Sequence, residues 1–181
     1  MARSRIMQME RVLGFAARFV EEVRSDVGRA KMDGSDTPPR IRCVHERPGH
    51  ATPEFRTLNI PVPEGLGGVS PEVLSGVIAR YAADKKPDCL LLALEAENDE
   101  GPLLIAEARC KWGTRLFWVQ PFRVGGARVE WGEPLGGGWR DPEDEEMILD
   151  AAFPRVLPPL PETPVRKERS PAARREAALS G

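Results

Sequence analysis

Residues 87–133 read PDCLLLALEAENDEGPLLIAEARCKWGTRLFWVQPFRVGGARVEWGE. Four apolar runs, 89–97, 103–110, 115–123 and 127–131, follow one another with NDEG, KWGT and VGG between them. Each has the length of a strand, is rich in Leu, Val, Ile or aromatic residues and is bounded by Gly or Asn/Asp. That pattern predicts an antiparallel meander. Pro121 lacks the N–H that a ladder uses, so it is expected at a bulge or where its strand has lost a neighbour on one side.

Upstream, 41–47 alternates Ile41, Cys43 and His45 with Arg42, Val44 and Glu46, and 55–60 reads as its hairpin partner across PGHATPE. Before that hairpin, Ile6, Met9, Leu13, Ala16, Val20, Val23 and Val27 recur at steps of three and four, predicting an amphipathic helix over 5–27. A loop follows over 28–40, where Gly, Asp, Ser and two prolines break the period. Ser70-Pro71-Glu72 is a helix start: a capping hydroxyl, a proline that costs no hydrogen bond, and an acid at the positive end of the dipole. Val73, Leu74, Val77, Ile78 and Tyr81 then form its expected buried face. Downstream, Asp141-Pro142-Glu143-Asp144 has the same grammar and predicts a short helix carrying Met147, Ile148 and Phe153.

The order of elements gives α+β: one domain over 1–153, an N-terminal hairpin plus a four-strand meander, with two or three helices on one sheet face. From Pro154 the chain is rich in Pro, charge and Ala and reads as an extended or disordered tail over 154–181. The tail carries six basic residues against three acidic, which leaves 20 basic and 25 acidic residues in the body. A body of that sign is a poor polyanion partner, so nucleic acid is not expected on it. No apolar run approaches the ~20 residues of a membrane helix. With no leader visible and Cys43, Cys89 and Cys110 each inside an apolar run, a reducing cytoplasm is expected. The Arg, Ala, Gly and Pro bias suggests a bacterial genome.

The candidate chemistry is acidic. If 89–97 pairs with 103–110 across a three-residue loop, Leu90, Leu92 and Leu94 face Cys110, Ala108 and Ala106. Glu95, Glu97, Glu107 and Arg109 then gather on the opposite, solvated face, because a one-residue slip would put Glu107 and Arg109 among leucines. Three carboxylates so placed could hold a divalent cation for phosphodiester hydrolysis. With Pro87-Asp88 upstream, Glu95-Ala96-Glu97 and Glu107-Ala108-Arg109 resemble in part the PD…(D/E)xK nucleases. Both strings depart from that pattern where its lysine should stand.

Other sites lack parts. Cys43 and His45 share a strand face with His50 nearby, yet only Cys89 or Cys110 could complete a zinc tetrad, so no metal is expected. There is no GxSxG elbow. Gly136-Gly137-Gly138 precedes acids rather than a phosphate-binding lysine, and reads as a hinge. Trp118 and Trp131 are expected in the core, whereas Trp112 and Trp139 fall in loops where a ring can anchor a partner. Arg155-Val156-Leu157-Pro158-Pro159-Leu160-Pro161 resembles the R-x-x-P-x-x-P ligands of Src-homology-3 domains, which implies docking through Arg155, Pro158 and Pro161. Without a complete catalytic set or a cofactor motif, the sequence favours a non-enzymatic interaction or accessory module with a protein partner. The alternative is a metal-dependent hydrolase using Glu95, Glu97 and Glu107.

Overall fold

The computed structural model describes residues 2–62, 69–143 and 145–153. Two α-helices and six strands are formed: α1 (Ala2–Met32), β1 (Arg40–His45), β2 (Glu54–Asn59), α2 (Pro71–Lys85), β3 (Cys89–Asn98), β4 (Gly101–Cys110), β5 (Arg115–Val124) and β6 (Val129–Trp131). The strands make one antiparallel sheet in the order β2-β1-β3-β4-β5-β6, so the hairpin joins the meander through β1 and β3. This is the α+β class expected from the sequence. No helix among the described residues is long and apolar enough to cross a membrane.

The helices lie on opposite faces of the sheet, not on one. On the first face, Val12, Ala16, Phe19, Val20, Val23 and Val27 of α1 pack on Val44, Cys89, Leu91, Ala93, Leu104, Ala106, Ala108, Cys110, Leu116, Trp118 and Phe122. On the second, Leu74, Ile78 and Ala82 of α2 pack on Ile41, Cys43, Leu90 and Leu92, with Leu149 beside them. Burying a side chain of this size contributes about 1.5–3 kcal/mol. Covering both faces is why β3 is a continuous leucine run: Leu90 and Leu92 serve one core, Leu91 and Ala93 the other.

That double cover also overturns the expected register. Leu90 sits opposite Arg109 and Leu92 opposite Glu107, while Cys89, Leu91 and Ala93 face Cys110, Ala108 and Ala106. The hairpin turns on two residues, Asp99 and Glu100, because Asn98 Oδ1 accepts the N–H groups of Glu100 (3.0 Å) and Gly101 (3.1 Å). Gly101, at φ 128°, takes the conformation that closes the turn. Segregating leucines from charges selects a register only when one face meets water, and here neither face of β3 does.

Helix α1 runs through Gly28 to Met32, five residues beyond its expected end. It stops in a Schellman motif, with Gly34 at φ 72° and the Ser35 N–H donating to Ala30 O (2.9 Å). Its flank is tied to β1 by Arg11–Glu46, Arg40–Asp26 and Arg42–Glu22 pairs. Arg11–Glu46 and Arg42–Glu22 are exposed, and exposed pairs orient more than they stabilise. Helix α2 is capped as expected, Ser70 Oγ accepting from Val73 N–H (3.3 Å). Only Leu74, Ile78 and Ala82 are buried on it; Val73 and Val77 remain 58% and 43% exposed. The helix expected near Met147 is a 3₁₀ turn, Ile148–Ala151. Pro121 lies opposite Leu103, its carbonyl accepts from Gly132 N–H, and β6 pairing starts only at Phe122. Its nitrogen faces Gly132 just past the last β5–β6 pair, and Gln120 Nε2 supplies to Gly132 O the hydrogen bond that Pro121 cannot.

Candidate functional site

Residues 145–153 cross the second sheet face over β4 and bring its charges together. Glu107, 3% exposed, accepts Ile148 N–H at Oε1 (3.1 Å) and Leu149 N–H at Oε2 (2.9 Å), supplying acceptors to the first turn of the 3₁₀ segment. Two residues along β4, Arg109 donates to Asp150 Oδ1 (3.1 Å), Cys110 O and Phe153 O. Arg115 on β5 donates twice to Asp150 (3.0 and 2.7 Å) and to the carbonyls of Glu143 and Glu145. Asp150 also accepts its own segment's Met147 N–H (3.0 Å).

Opposite pressures act on the two acids. Burial pushes the Glu107 carboxyl above its ordinary range, with the Leu149 and Ile148 N–H groups pulling against it. Burial also works to raise Asp150, but Arg115, the Met147 N–H and Arg109 outweigh it and hold that carboxyl low. Both oxygens of each acid are occupied by donors. The constellation is a clamp that fastens 145–153 to the sheet, with each Glu107 oxygen accepting one main-chain N–H of that segment.

Glu95 and Glu97 are not part of it. The register sends them to the α1 face, opposite to Glu107. There Glu95 accepts Thr37 N–H (2.8 Å) and meets Lys31 (2.5 Å), while Glu97 is exposed. The three glutamates of the hydrolase alternative thus lie on two sides of the sheet. Among the described residues, no group of three His, Cys, Asp or Glu could hold a metal ion. Cys43 is buried against the Tyr81 hydroxyl, and burial raises its thiol pKa. His45 Nε2 lies 2.9 Å from Lys85 O, at the C-terminus of α2. Cys89 and Cys110, opposite each other, face away from Cys43 on the α1 side.

The two loop tryptophans have different fates. Trp112, in the β4–β5 turn, is 42% exposed with Lys111 Nζ 5.0 Å from its ring centroid. Trp139 packs partly buried against Trp118, centroids 6.1 Å apart. Trp118 is buried as expected, and Trp131 is partly buried on Phe122. Gly136, Gly137 and Gly138 all have positive φ and lead into no α-helix, so there is no helix start for them to hinge. Arg155, Pro158 and Pro161 lie outside the described residues.

The surface that the sequence did not reveal is the edge at β2. Ile60 N–H donates to Pro39 O. Antiparallel alternation therefore turns the main-chain groups of Phe55, Thr57 and Asn59 outward, with no strand beside them among the described residues. Around this edge Phe55 is 40% exposed on one face and Leu58 is 46% exposed on the other. The opposite edge, β6, has three residues and offers little to pair with. Sequence periodicity could not find this site, because an alternating strand reads the same whether or not a neighbour pairs with its outer side.

Fold and surface together define an α+β protein whose buried charges hold its own chain, with a six-residue outer strand, β2, that has no further strand beside it among the described residues. No protein-family model, curated protein or solved structure matches the chain.

Proposed function

We propose that the chain is a non-enzymatic interaction module of the cytoplasm that adds an extended segment of a partner protein to the outer edge of β2. The observation that carries this is the edge itself: outward main-chain groups of Phe55, Thr57 and Asn59, flanked by half-exposed apolar side chains on both faces. Strand addition draws affinity from main-chain hydrogen bonds and specificity from alternate side chains. The partner segment would be one that alternates, its apolar residues meeting Leu58 on one face and Phe55 on the other. Trp112 and the R-x-x-P-x-x-P string with Arg155, Pro158 and Pro161 are further contact routes. Three buried free thiols fit a reducing compartment.

The test uses a photo-crosslinking residue at position 58 in the full chain. Thr57→Pro removes an outward N–H and leaves the β1 ladder whole; Thr57→Val loses only the hydroxyl that accepts from Arg42. A crosslinked partner chain, or a second copy, that is lost with Pro and kept with Val is the expected result. No adduct, or one that survives Thr57→Pro, would refute strand addition. Deleting 154–181 tests the tail separately: an unchanged set of adducts removes the docking string from the account. Manganese should leave the melting temperature where it was, since a native-state ligand would raise it. A rise that Glu107→Gln abolishes would restore the hydrolase.

A further inference from the structure

From Pro53 to Pro61 the chain reads PEFRTLNIP, and β2 takes up 54–59 of it. All of β2 but Glu54 is exposed, Phe55 and Leu58 included. Edge strands that must stay single are blunted by lysines, by prolines within the strand or by bulges. None of these devices is present over 54–59. Pairing with β1 runs unbroken from Glu54 to Asn59, and no residue there has a positive φ. The two charges of the strand are paired with each other, Arg56 Nε donating to Glu54 Oε1 (2.9 Å), and Arg47 donates to the same carboxylate.

The outward groups fall symmetrically within this stretch, because Thr57 stands four residues from each proline. A two-fold axis through Thr57, perpendicular to the sheet, sets Thr57 against Thr57 of a second copy and Phe55 against its Asn59. Every outward N–H of both strands then donates across the junction, while the prolines, which have no N–H, face each other. Side chains agree with that register. On the α2 face Leu58 meets the aliphatic stem of Arg56 from the other copy and lies diagonal to its Leu58; on the α1 face threonine meets threonine. Moving the axis to Arg56 would set two arginines directly opposite each other. Moving it to Leu58 would put the Phe55 carbonyl opposite Pro61, which cannot donate to it.

We infer that the strand added to β2 is β2 of a second copy of this chain, in the register centred on Thr57. This rests on the reading of the edge as a site of strand addition and names its occupant. The product is a two-fold dimer with one continuous sheet. At each far end of that sheet lies β6, three residues long, so assembly stops at two chains instead of growing into a filament.

The first measurement is sedimentation equilibrium of the full chain at about 100 µM, a concentration suited to a small interface, and it should give two chains per particle. Thr57→Pro removes the central N–H of each strand and should weaken association about tenfold, whereas Thr57→Val should leave it paired. Circular dichroism of both variants is recorded alongside. The register is read separately, from cysteines, and needs no proline variant. Arg56 and Leu58 of the two copies oppose each other as a non-hydrogen-bonded pair, with Cα atoms about 4.5 Å apart, within disulfide reach. Under mild oxidation an equal mixture of Arg56→Cys and Leu58→Cys chains should give the mixed disulfide in preference to either self-linked pair. The native chain, whose Cys43, Cys89 and Cys110 are buried, is the control. A chain that stays monomeric, a dimer indifferent to Thr57→Pro, or preferential linkage of either cysteine variant to itself would each overturn the assignment. If the chain is monomeric but position 58 crosslinks to a different protein, and Thr57→Pro abolishes that adduct, strand addition stands and only the second copy is lost. If neither adduct forms, both readings fall.

Discussion

Asp150→Ala is the substitution whose cost is best defined by its surroundings. The carboxylate is the acceptor for three guanidinium N–H bonds and for Met147 N–H. Without it, Arg109 and Arg115 stay enclosed, their side chains 4% and 9% exposed, with no counter-charge in contact among these bonds. Removing one partner of a buried pair costs about 3–5 kcal/mol. Each arginine keeps carbonyl acceptors, from Cys110 and Phe153 or from Glu143 and Glu145, which places the expected loss near the lower bound, about 3 kcal/mol. Urea denaturation reads this as a midpoint lowered by about 1–3 M, at a slope typical of small domains. Asp150→Asn keeps an oxygen acceptor and should cost less. Adding Arg115→Met to Asp150→Ala removes one stranded cation and should recover part of the loss. The pH dependence gives an independent reading. Asp150 is held below its ordinary value of 3.8, so its contribution is present above that pH and disappears as pH falls through the depressed value. In Asp150→Ala that acid-side loss should vanish. A cost under about 1 kcal/mol would mean that the arginines are served by the carbonyls alone, and the clamp would be wrong.

Glu107 should show the opposite sign: its carboxyl is raised, so its stabilising contribution is complete below the ordinary 4.5 and is lost as pH rises through the raised value. Stability of the native chain relative to Glu107→Gln should therefore fall on going from pH 4.5 toward neutrality; a constant difference would rule out the raised pKa. Gly14→Ala, in mid-helix with nothing within 4 Å of the added carbon, should stabilise by about 0.5–1 kcal/mol. Gly34→Ala, at φ 72° in the cap of α1, should cost about 1–2 kcal/mol, and thermal melts of the two variants should move in opposite directions.

The elements were legible wherever local chemistry alone forms them. Ser70-Pro71-Glu72 starts a helix in any context that permits one, and strand runs broken by NDEG and KWGT turn back on themselves. What failed each time depended on a neighbour distant in sequence. The register of β3 on β4 departs from the one hydrophobic segregation predicts because Ile148, Leu149, Asp150 and Phe153 meet Glu107 and Arg109 in place of water. A 3₁₀ turn replaces the predicted helix for a related reason: Asp141 accepts Glu143 N–H as its grammar suggests, but Arg115 of β5 then holds the Glu143 carbonyl.

Periodicity and turn residues by themselves determined the class, the hairpin, the meander and both helices, since hydrogen bonding and apolar spacing act over a few residues. Which sheet face each helix would cover was decided only in three dimensions. So were the enclosure of Glu107, Arg109 and Arg115 beneath a returning segment and, among the described residues, the absence of a strand beyond β2. Whether a side chain is enclosed depends on what folds back over it, and the chain reports its own order of residues without saying which stretch will return.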